Sequence, residues 1–302
     1  MFDCAVVGSG VAGISAALTL KANGKSFVLL GSPDLSAKIG RAECIRNYPG
    51  LSSVSGQAFC QALKEQLKEM DIPVTDERVT GVYALKDKFS LLTESGAAFE
   101  SKTVILTTGV EAVKQIPGEA EFIGRGVSYC ALCDGPFFDG QDVAVAGGGN
   151  TAFEDALFLA GRCRSVILIH RRKTFRAEQA LVEQAAQRKN LTILTDTVIT
   201  DLYADNGELE HLLLKNADGR ETRLPVSGLF VAFGRVPDTE MAAALAERDQ
   251  EGYLLTNDRM GTAAPGFFAA GDCRHKQVRQ LTTAVSDGTL AAVSACRWLA
   301  EQ

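Results

Sequence analysis

The hydrophobic pattern of the chain begins with Phe2–Val7, a short apolar and β-branched run that ends at a glycine-rich turn. Such a continuous run is typical of a strand that is buried on both faces of a parallel sheet. An Ala- and Leu-rich stretch up to about Ala22 predicts a helix, and Ser26–Leu30 predicts the next strand. Together these segments predict one strand–helix–strand unit.

The same order of elements returns near the middle of the chain. Asp142–Ala146 predicts a strand, Phe153–Ala160 a helix and Ser165–Ile169 a further strand. A second glycine-rich turn follows the first of these strands. Two units of this kind predict an α/β fold with two Rossmann-like nucleotide-binding domains, each built on a parallel sheet.

The segments around these two units also carry readable patterns. Gln57–Met70 has the spacing of an amphipathic helix, Val79–Glu94 has that of a hairpin, and a long last helix starts near Val278. The remaining strand predictions are Thr103–Leu106, Thr192–Leu194, Glu210–Lys215, Gly228–Val231 and Gly266–Ala270.

Composition narrows the class of protein. Hydrophobic residues make up 46% and charged residues 23% of the 302 positions, which is the balance of a globular protein. The net charge of -6 argues against nucleic acid as a partner, because its binders carry a basic face. No apolar run approaches the roughly 18 residues of a membrane-spanning helix. The first residues lack the positive charge of a secretory signal, so we expect a cytoplasmic protein.

The first glycine-rich turn contains Gly8, Gly10 and Gly13 in the order Gly-x-Gly-x-x-Gly. In such turns the glycines permit a tight bend, a close approach of the backbone to a pyrophosphate, and close packing of helix on strand. The positive end of the helix attracts the phosphates. Asp34, after the second strand, is at best the acid that binds a ribose, so this nucleotide's identity stays open on the motif alone.

The second turn, Gly147–Ala152, is followed at the end of its second strand by His170, Arg171 and Arg172, and then by Arg176. An acid at that position selects the ribose of NAD, whereas arginine accommodates the 2′-phosphate of NADP. A solvated basic cluster is the alternative, but the position of the arginines favours NADPH. Two dinucleotide sites in one chain are typical of a flavin that exchanges hydride with a nicotinamide.

A third nucleotide-binding segment lies near the end of the chain, where Gly271 and Asp272 follow a buried strand. The carboxylate there can accept hydrogen bonds from ribityl hydroxyls. The helix that starts near Gln280 can stabilise a reduced flavin through its positive end. The alternative interpretation is that Asp272 caps that helix.

Cys130 and Cys133 stand one helical turn apart, and Asp134 follows them directly. Two thiols at this spacing can form an easily reduced disulfide, and a neighbouring acid can take or give a proton. A zinc site needs a second ligand pair, so we predict no metal. Two unrelated buried cysteines are the other alternative. Four further cysteines are predicted to be buried thiols: Cys4, Cys60, Cys163 and Cys296.

With these motifs in order, the whole chain resembles the low-molecular-weight, bacterial-type thioredoxin reductases. The motifs that carry the resemblance are Gly8–Gly13, Asn47–Gly50, Thr108-Gly109, Cys130–Gly135, Gly147–Ala152, His170–Arg176 and Gly271–Gln280. The resemblance implies a three-layer β/β/α architecture with the second nucleotide-binding domain inserted into the first. It implies an FAD domain made of residues 1–113 and 241–302, and an NADPH domain at 114–240 that also carries the dithiol.

The resemblance also implies roles for individual residues. Cys130 attacks the disulfide of thioredoxin, Cys133 faces the flavin, and Asp134 handles the proton. The residues implied in FAD binding are Gly8, Gly10, Gly13, Asp34, Lys38, Asn47, Val79, Thr108, Gly109, Gly271, Asp272, Arg279 and Gln280. Those implied in NADPH binding are Gly147, Gly149, Asn150, Thr151, His170, Arg171, Arg172 and Arg176. The family works as a homodimer, and its NADPH domain rotates so that dithiol and nicotinamide alternate at the flavin.

One triplet departs from the family pattern, because Ser36, Ala37 and Lys38 stand where the family has Gly-Gly-Gln near the flavin. The triplet resembles a side branch, the ferredoxin-linked flavin thioredoxin reductases, which has lost the nucleotide motifs. Those motifs are intact here, which favours NADPH as the donor. The alternatives are a ferredoxin-linked enzyme, a dithiol oxidase or reductase for another partner, and a non-catalytic flavin- or zinc-binding protein.

Overall fold

The computed structural model describes residues 1–42, 44–113 and 115–302. Its strands are β1 (Phe2–Val7), β2 (Phe27–Gly31), β3 (Val74–Asp76), β4 (Val79–Ala84), β5 (Phe89–Thr93), β6 (Ala98–Leu106), β7 (Val110–Ala112), β8 (Val127–Ser128), β9 (Asp142–Gly147), β10 (Ser165–Ile169), β11 (Leu191–Leu194), β12 (Thr197–Asp205), β13 (Glu208–Asn216), β14 (Glu221–Pro225), β15 (Gly228–Ala232), β16 (Arg235–Pro237) and β17 (Phe267–Ala269).

The α-helices are α1 (Val11–Ala22), α2 (Ala37–Gly40), α3 (Gly56–Glu69), α4 (Ala131–Asp134), α5 (Asn150–Ala160), α6 (Gln179–Ala186) and α7 (Leu281–Ala300). Short 3₁₀ turns cover Glu119–Phe122, Gly135–Phe138, Glu240–Ala242 and Gly271–Cys273. Within the described ranges, none of the helices has both the length and the apolarity that crossing a lipid bilayer requires.

The first sheet has the order β3-β2-β1-β6-β5-β4. Strands β1, β2, β3 and β6 run parallel, and the hairpin β4–β5 continues antiparallel from the amino-terminal half of β6. Strand β17, from far along the chain, pairs in parallel with the carboxyl-terminal half of β6. Residues from the first and last parts of the sequence therefore build one sheet.

The second sheet has the order β11-β10-β9-β15-β8, and every pair in it is parallel. Strands β12, β13 and β14 form a separate antiparallel sheet, and β7 pairs antiparallel with β16. The strands of the second sheet all lie between the residues that form the first. The predicted α/β fold, with one Rossmann-like unit inserted into another, is confirmed.

The cores lie on both faces of each parallel sheet, as the continuous apolar runs predict. Helices α1 and α7 pack on one face of the first sheet, where Ile14, Leu20 and Ala291 are fully or almost fully buried. They approach so closely that a Cβ on Gly288 would lie 2.1 Å from the backbone oxygen of Ala12. This contact fixes the start of α7 against the glycine-rich turn before α1.

Most predicted elements are present, with shifts at their ends. Helix α5 begins at Asn150, three residues before the predicted start, and α7 begins at Leu281, after the predicted Val278. Strands β12 and β14 were not predicted. Both of these strands belong to the small antiparallel sheet.

Candidate active site

The predicted FAD-binding segments lie at one edge of the first sheet. Parallel strands β1, β2, β6 and β17 end there, and the segments that follow them are 8–13, 31–34, 107–109 and 271–272. In open α/β sheets, ligands bind outside the carboxyl ends of the strands. Backbone hydrogen bonds join these segments: Gly8 N–H donates to Leu30 O, Thr107 N–H to Val7 O, and Ala270 N–H to Leu106 O.

The glycines of the first turn are required by space. A Cβ on Gly13 would lie 1.9 Å from Gly8 O, and one on Gly8 would lie 2.5 Å from Thr107 O. A Cβ on Gly10 would meet no described atom within 4 Å, and the same is true of Gly109. The backbone at Gly10 and Gly109 is therefore open to a ligand, as a pyrophosphate-binding turn requires.

Asp272 and Arg279 give an independent test of whether FAD fits this edge. Three buried side-chain polar atoms lack a hydrogen bond among the described residues, and two of them are Asp272 Oδ1 and Arg279 Nε. Buried polar atoms in proteins nearly always have a hydrogen-bond partner. Both residues were predicted from the sequence to contact the flavin. Asp272 Oδ1 lies 3.1 Å from the ammonium of Lys276 but makes no hydrogen bond, and Arg279 Nε also has no hydrogen-bond partner, so both atoms can bind a polar ligand at this edge.

The interpretation of Asp272 as a helix cap is wrong. Asp272 lies in the Gly271–Cys273 turn, whereas the residue that caps α7 is Gln280. Gln280 forms a reciprocal capping box with Thr283, so the start of α7 is fixed without Asp272. Arg279 stacks on Tyr253, with its guanidinium carbon 4.0 Å from the ring centre.

The remaining predicted FAD residues lie in separate segments and have different surroundings. The Asp34 side chain is 94% exposed, and its carboxylate pairs with Lys64 at 3.0 Å. Thr108 Oγ1 donates to Asp238 O at 2.6 Å. Asn47 is exposed and Val79 is buried.

Lys38 lies in short helix α2 and is exposed to solvent. The protein atoms around its ammonium desolvate it and lower its pKa, while Glu111 and Asp272 act in the opposite direction. Lys38 is thus electrostatically close to Asp272, the carboxylate predicted to contact the flavin. This position is consistent with the prediction that the triplet Ser36, Ala37 and Lys38 lies near the flavin.

The predicted NADPH-binding residues gather at the carboxyl edge of the second sheet. A Cβ on Gly147 would lie 2.6 Å from Ala232 O, whereas one on Gly149 would meet no described atom within 4 Å. Asn150 accepts from Glu178 N–H at 2.8 Å, which ties the turn to the segment before α6. Thr151 is exposed at the start of α5. As in the first turn, one glycine (Gly147) has no room for a side chain, and another (Gly149) has free space in front of it.

The basic cluster lies beside this turn. The ring of His170 fills the space next to Gly148, where a Cβ would lie 2.2 Å from its Cε1. Arg176 N–H donates to Gly148 O at 2.8 Å. The side chains of Arg171, Arg172 and Arg176 are exposed. Three exposed guanidinium groups therefore belong to the segment 171–176, which contacts the turn through its neighbour His170 and through the Arg176 backbone. Such groups fit a phosphate monoester.

Cys130 and Cys133 form a disulfide, with their Cα atoms 5.3 Å apart. The bond lies between the end of β8 and helix α4, where Cys130 is the capping residue and its Sγ accepts from Cys133 N–H at 3.2 Å. Leu132, between the two cysteines, is 55% exposed. The interpretation of two unrelated buried cysteines is therefore wrong.

Ser128 hydrogen-bonds both to the loop that carries the Cys130–Cys133 disulfide (the disulfide loop) and to the neighbouring acid, Asp134. Its hydroxyl accepts from Cys130 N–H at 3.0 Å and donates to Asp134 Oδ2 at 2.6 Å. This hydrogen bond orients the Asp134 carboxylate next to the disulfide. Ser128 is a site residue that the sequence analysis did not find; its position two residues before Cys130 was the available signal.

Hydrogen bonds of Tyr129 and Arg235 also hold the disulfide loop in place. Tyr129 Oη donates to Glu119 Oε1 at 3.0 Å, and Glu119 is almost fully buried. Burial, with the Glu119 carboxylate, raises the pKa of Tyr129, so the phenol stays protonated. Arg235 Nη2 donates to Tyr129 O at 2.7 Å. Because Arg235 lies in β16, this bond connects the disulfide loop to the strand pair β7–β16.

The disulfide loop also contacts the loops of the first unit. The guanidinium carbon of Arg46 lies 4.6 Å from the centre of the Phe137 ring, a cation–π geometry. Arg46 precedes Asn47, and Phe137 lies in the turn after Asp134. The redox-active loop therefore lies against a segment that was predicted to bind the flavin.

The free cysteines behave as core residues. Burial raises the pKa of Cys4 to about 12 and that of Cys163 to about 11. Cys60 is also buried, while Cys296 is only partly so, contrary to prediction. In the part of the chain that the structure describes, no group of three His, Cys, Asp or Glu residues could hold a metal ion. The disulfide also leaves no thiolate pair at 130 and 133 for zinc.

The comparisons with known proteins agree with this arrangement. Residues 2–288 match the family model described as pyridine nucleotide-disulphide oxidoreductase. A thioredoxin reductase from Treponema pallidum is 38% identical over 99% of this chain and 97% of its own. A crystal structure of thioredoxin reductase from Streptococcus pyogenes superimposes with a TM-score of 0.94 at 35% identity, covering 100% of this chain and 99% of the other.

A ferredoxin-flavin thioredoxin reductase from Clostridium acetobutylicum is also similar, at 33% identity over 100% of this chain and 99% of its own, but with a TM-score of 0.56. The family model matches residues 2–288, and the Treponema pallidum thioredoxin reductase is 38% identical over nearly the whole chain. These two findings establish the family of this chain. The chain belongs to the pyridine nucleotide-disulphide oxidoreductase family and, within it, to the thioredoxin reductases of the bacterial type.

Proposed function

We propose that this chain is an NADPH-dependent thioredoxin-disulfide reductase that uses FAD. FAD, when bound, supplies two-electron chemistry between the nicotinamide and the disulfide. The single observation that carries the proposal is the position of the Cys130–Cys133 disulfide. The turn after it contacts, through Phe137, Arg46 in the segment that was predicted to bind the flavin. The names of the similar proteins support thioredoxin as the partner.

The chain's own residues divide the work as follows. Two electrons and two protons convert the disulfide to two thiols, and Asp134 exchanges a proton at Cys133. Cys130 then loses its proton to solvent, and the resulting thiolate attacks one sulfur of the thioredoxin disulfide, forming a mixed disulfide and releasing the other sulfur as a thiolate. Cys133 then displaces the remaining thioredoxin sulfur, and the Cys130–Cys133 bond forms again. Ser128 orients Asp134 and the Cys130 backbone.

The binding residues follow the two sheet edges. Gly8, Gly10 and Gly13 would hold the pyrophosphate of FAD, and Asp272 would accept hydrogen bonds from its ribityl chain. Arg171, Arg172 and Arg176 would bind the 2′-phosphate of NADPH. The FAD domain comprises residues 1–113 and 241–302 and the NADPH domain 114–240. The enzyme is a cytoplasmic homodimer.

A ferredoxin-linked enzyme is a weaker proposal. The exposed arginines beside Gly148 provide a phosphate-binding surface that a ferredoxin-linked enzyme does not need.

The experiment that tests the proposal separates the two thiols. Cys133→Ser leaves Cys130 able to attack thioredoxin but removes the sulfur that releases it, so a covalent complex accumulates on non-reducing electrophoresis. Cys130→Ser does not form this complex. Both variants still decolourise the flavin with NADPH under anaerobic conditions. Cys296→Ser, at a partly buried cysteine outside the site, is the control and keeps full thioredoxin reduction.

Two results would overturn parts of the proposal. Trapping by Cys130→Ser instead of Cys133→Ser would exchange the roles of the two sulfurs. Unchanged thioredoxin reduction in both variants would remove the disulfide from the reaction altogether.

A further inference from the structure

Four charged side chains meet where the segment after β17 packs against α7: Asp272, Arg274 and Lys276 from that segment and Asp287 from the helix. Of these four, the proposed reaction uses only Asp272. Asp272 Oδ1 lies 3.1 Å from the ammonium of Lys276, and no well-oriented hydrogen bond reaches that oxygen among the described residues. The carboxylate is therefore held by charge while retaining acceptor capacity. A hydroxyl-bearing ligand can use that capacity.

Lys276 is buried to an unusual degree for a lysine. Only 6% of its side chain is exposed, and its Nζ lies 3.1 Å from Asp272 Oδ1 and 3.1 Å from Asp287 Oδ2. It also donates to Thr283 Oγ1 at 3.3 Å. Thr283 belongs to the capping box that starts α7. One ammonium thus links the Asp272 turn, the start of α7 and the second turn of that helix.

Asp287 is the centre of this group. Its two oxygens accept from Nε and Nη2 of Arg274, each at 2.9 Å, and Oδ2 also accepts from Gly271 N–H at 3.2 Å. Its side chain is 8% exposed. Burial alone would raise the pKa of Asp287, but Arg274 and Lys276 outweigh it and lower the pKa. Asp287 is consequently ionised at neutral pH.

The four charges balance within the group. Asp272 and Asp287 supply two negative charges, and Arg274 and Lys276 supply two positive ones. Removing one partner of a buried pair leaves an uncompensated charge, which is strongly unfavourable. The position of Asp272 therefore depends on Lys276, and the position of Lys276 depends on Asp287.

We propose that Lys276 is a positioning residue for FAD, which orients the Asp272 carboxylate toward the ribityl hydroxyls and is itself held by Asp287. The inference rests on the proposed FAD site at the first sheet edge. It extends that site beyond the residues that contact the cofactor. Lys276 contributes to FAD affinity only through Asp272, and this dependence distinguishes positioning from general stabilisation of the fold.

The test measures the Kd of FAD for apoprotein by the quenching of FAD fluorescence. Lys276→Met is expected to raise the Kd about tenfold, in line with the loss of a hydrogen bond to a charged group. Lys276→Arg keeps the charge and should recover most of the affinity. The matched control is Lys102→Met, because Lys102 pairs with Asp3 at the same 3.1 Å distance but at the opposite end of β1. Its Kd should equal that of the wild type.

A double-mutant cycle decides whether Lys276 acts through Asp272. In an Asp272→Asn background, Lys276→Met should change the Kd by less than about twofold, because the carboxylate that it orients is gone. An equal change in both backgrounds would overturn the inference, as would a wild-type Kd for Lys276→Met alone. Wild-type apoprotein that does not bind FAD would instead contradict the proposed function.

The design allows for a variant that does not fold. Apoprotein of each variant is checked by circular dichroism and thermal unfolding before titration. If Lys276→Met fails this check, Lys276→Gln replaces it and is compared with Lys276→Arg. A raised Kd for glutamine and a near-normal Kd for arginine support the inference, and equal values refute it.

Discussion

The two nucleotide-binding edges of this chain have similar glycine-rich turns, but the charged side chains around them differ in burial and pairing. At the first edge, the acidic and basic groups are buried and neutralise one another, as in the group around Asp287. At the second edge, the arginines at 171, 172 and 176 are exposed, and none of them has an ion pair within the described residues.

This difference matches the two kinds of ligand. A buried, internally neutral group is rigid, and it suits a cofactor that stays bound through many turnovers. Exposed arginines attract an anion from solution and are screened by salt, which suits a nucleotide that binds and leaves in every cycle. The electrostatic setting of a glycine-rich turn thus indicates how long its ligand stays.

The largest expected effect comes from replacing a closely packed glycine of the first turn by alanine, compared with the same replacement at an open glycine of the second turn. Gly13→Ala should lower the free energy of unfolding by about 3 kcal/mol and release FAD, because its Cβ meets Gly8 O at 1.9 Å. Gly149→Ala has open space and should change the free energy of unfolding by less than about 1 kcal/mol. Urea unfolding followed by circular dichroism measures both. Equal losses would remove the distinction between a closed and an open glycine.

The next effect concerns one acid in each unit, the partly buried Asp155 and the buried Asp287, and the stabilities of their variants should respond oppositely to pH. Burial raises the pKa of Asp155 on α5 to about 6, and Glu154 adds to this although Arg235 opposes it. Stability therefore falls as the pH rises from about 4 through 6, where the folded protein resists ionisation. Asp155→Asn should raise the free energy of unfolding by about 2 kcal/mol at pH 8 and leave it unchanged at pH 4.

Asp287→Asn should do the reverse. Its lowered pKa contributes stability that is present above the ordinary value of 3.8 and is lost as the pH falls through the folded value. The variant should thus be less stable than the wild type at pH 7, with the gap closing in acid. Thermal unfolding of both variants across pH 3–8 checks the two signs, and curves of the same sign would contradict the contrast.

A smaller effect is expected from the exposed arginines. Arg171→Ala should raise the KM for NADPH about tenfold through loss of a charge-assisted hydrogen bond, and it should leave NADH kinetics nearly unchanged. The wild-type preference for NADPH should also weaken as salt is added. Steady-state kinetics with both nucleotides measure this effect. Equal damage with NADH would place the 2′-phosphate elsewhere.

The smallest effect is that of Lys38. Its positive charge near Asp272 should favour the reduced, anionic flavin, so Lys38→Gln should lower the flavin midpoint potential without loss of FAD. Because Lys38 is exposed, the shift should be about 20 mV or less. A redox titration against a dye of known potential measures it. An unchanged midpoint would mean that Lys38 points away from the flavin.

The parallel sheets could be predicted because their strands are buried on both faces, as in β1 and β10, where the sequence is continuously apolar. Strand β12 escaped prediction because register shifts between Ile199 and Asp201 and between Tyr203 and Ala204 interrupt its alternation. Strand β14 is an edge strand that is mostly exposed and lacks an apolar face. Pattern analysis has no signal for either.

The site shows the same limit. The glycines, the paired cysteines and the arginines have fixed spacings, so the sequence identifies them directly. The partnership of Asp287 with Lys276 and Arg274 depends on how α7 packs beside the Gly271 turn, which no spacing encodes. The same holds for Glu119 and Tyr129, which meet only after the loop between them folds back.

The place of β17 in the first sheet has a consequence for the order in which the protein forms during translation. The strands of the second sheet lie between residues 127 and 232, so they can pair as soon as that stretch has left the ribosome. Strand β6 waits for β17, and α1 waits for Gly288 of α7 to pack against Ala12. The first strand made thus belongs to the last sheet completed, so the proposed FAD site is complete only after nearly the whole chain has been made.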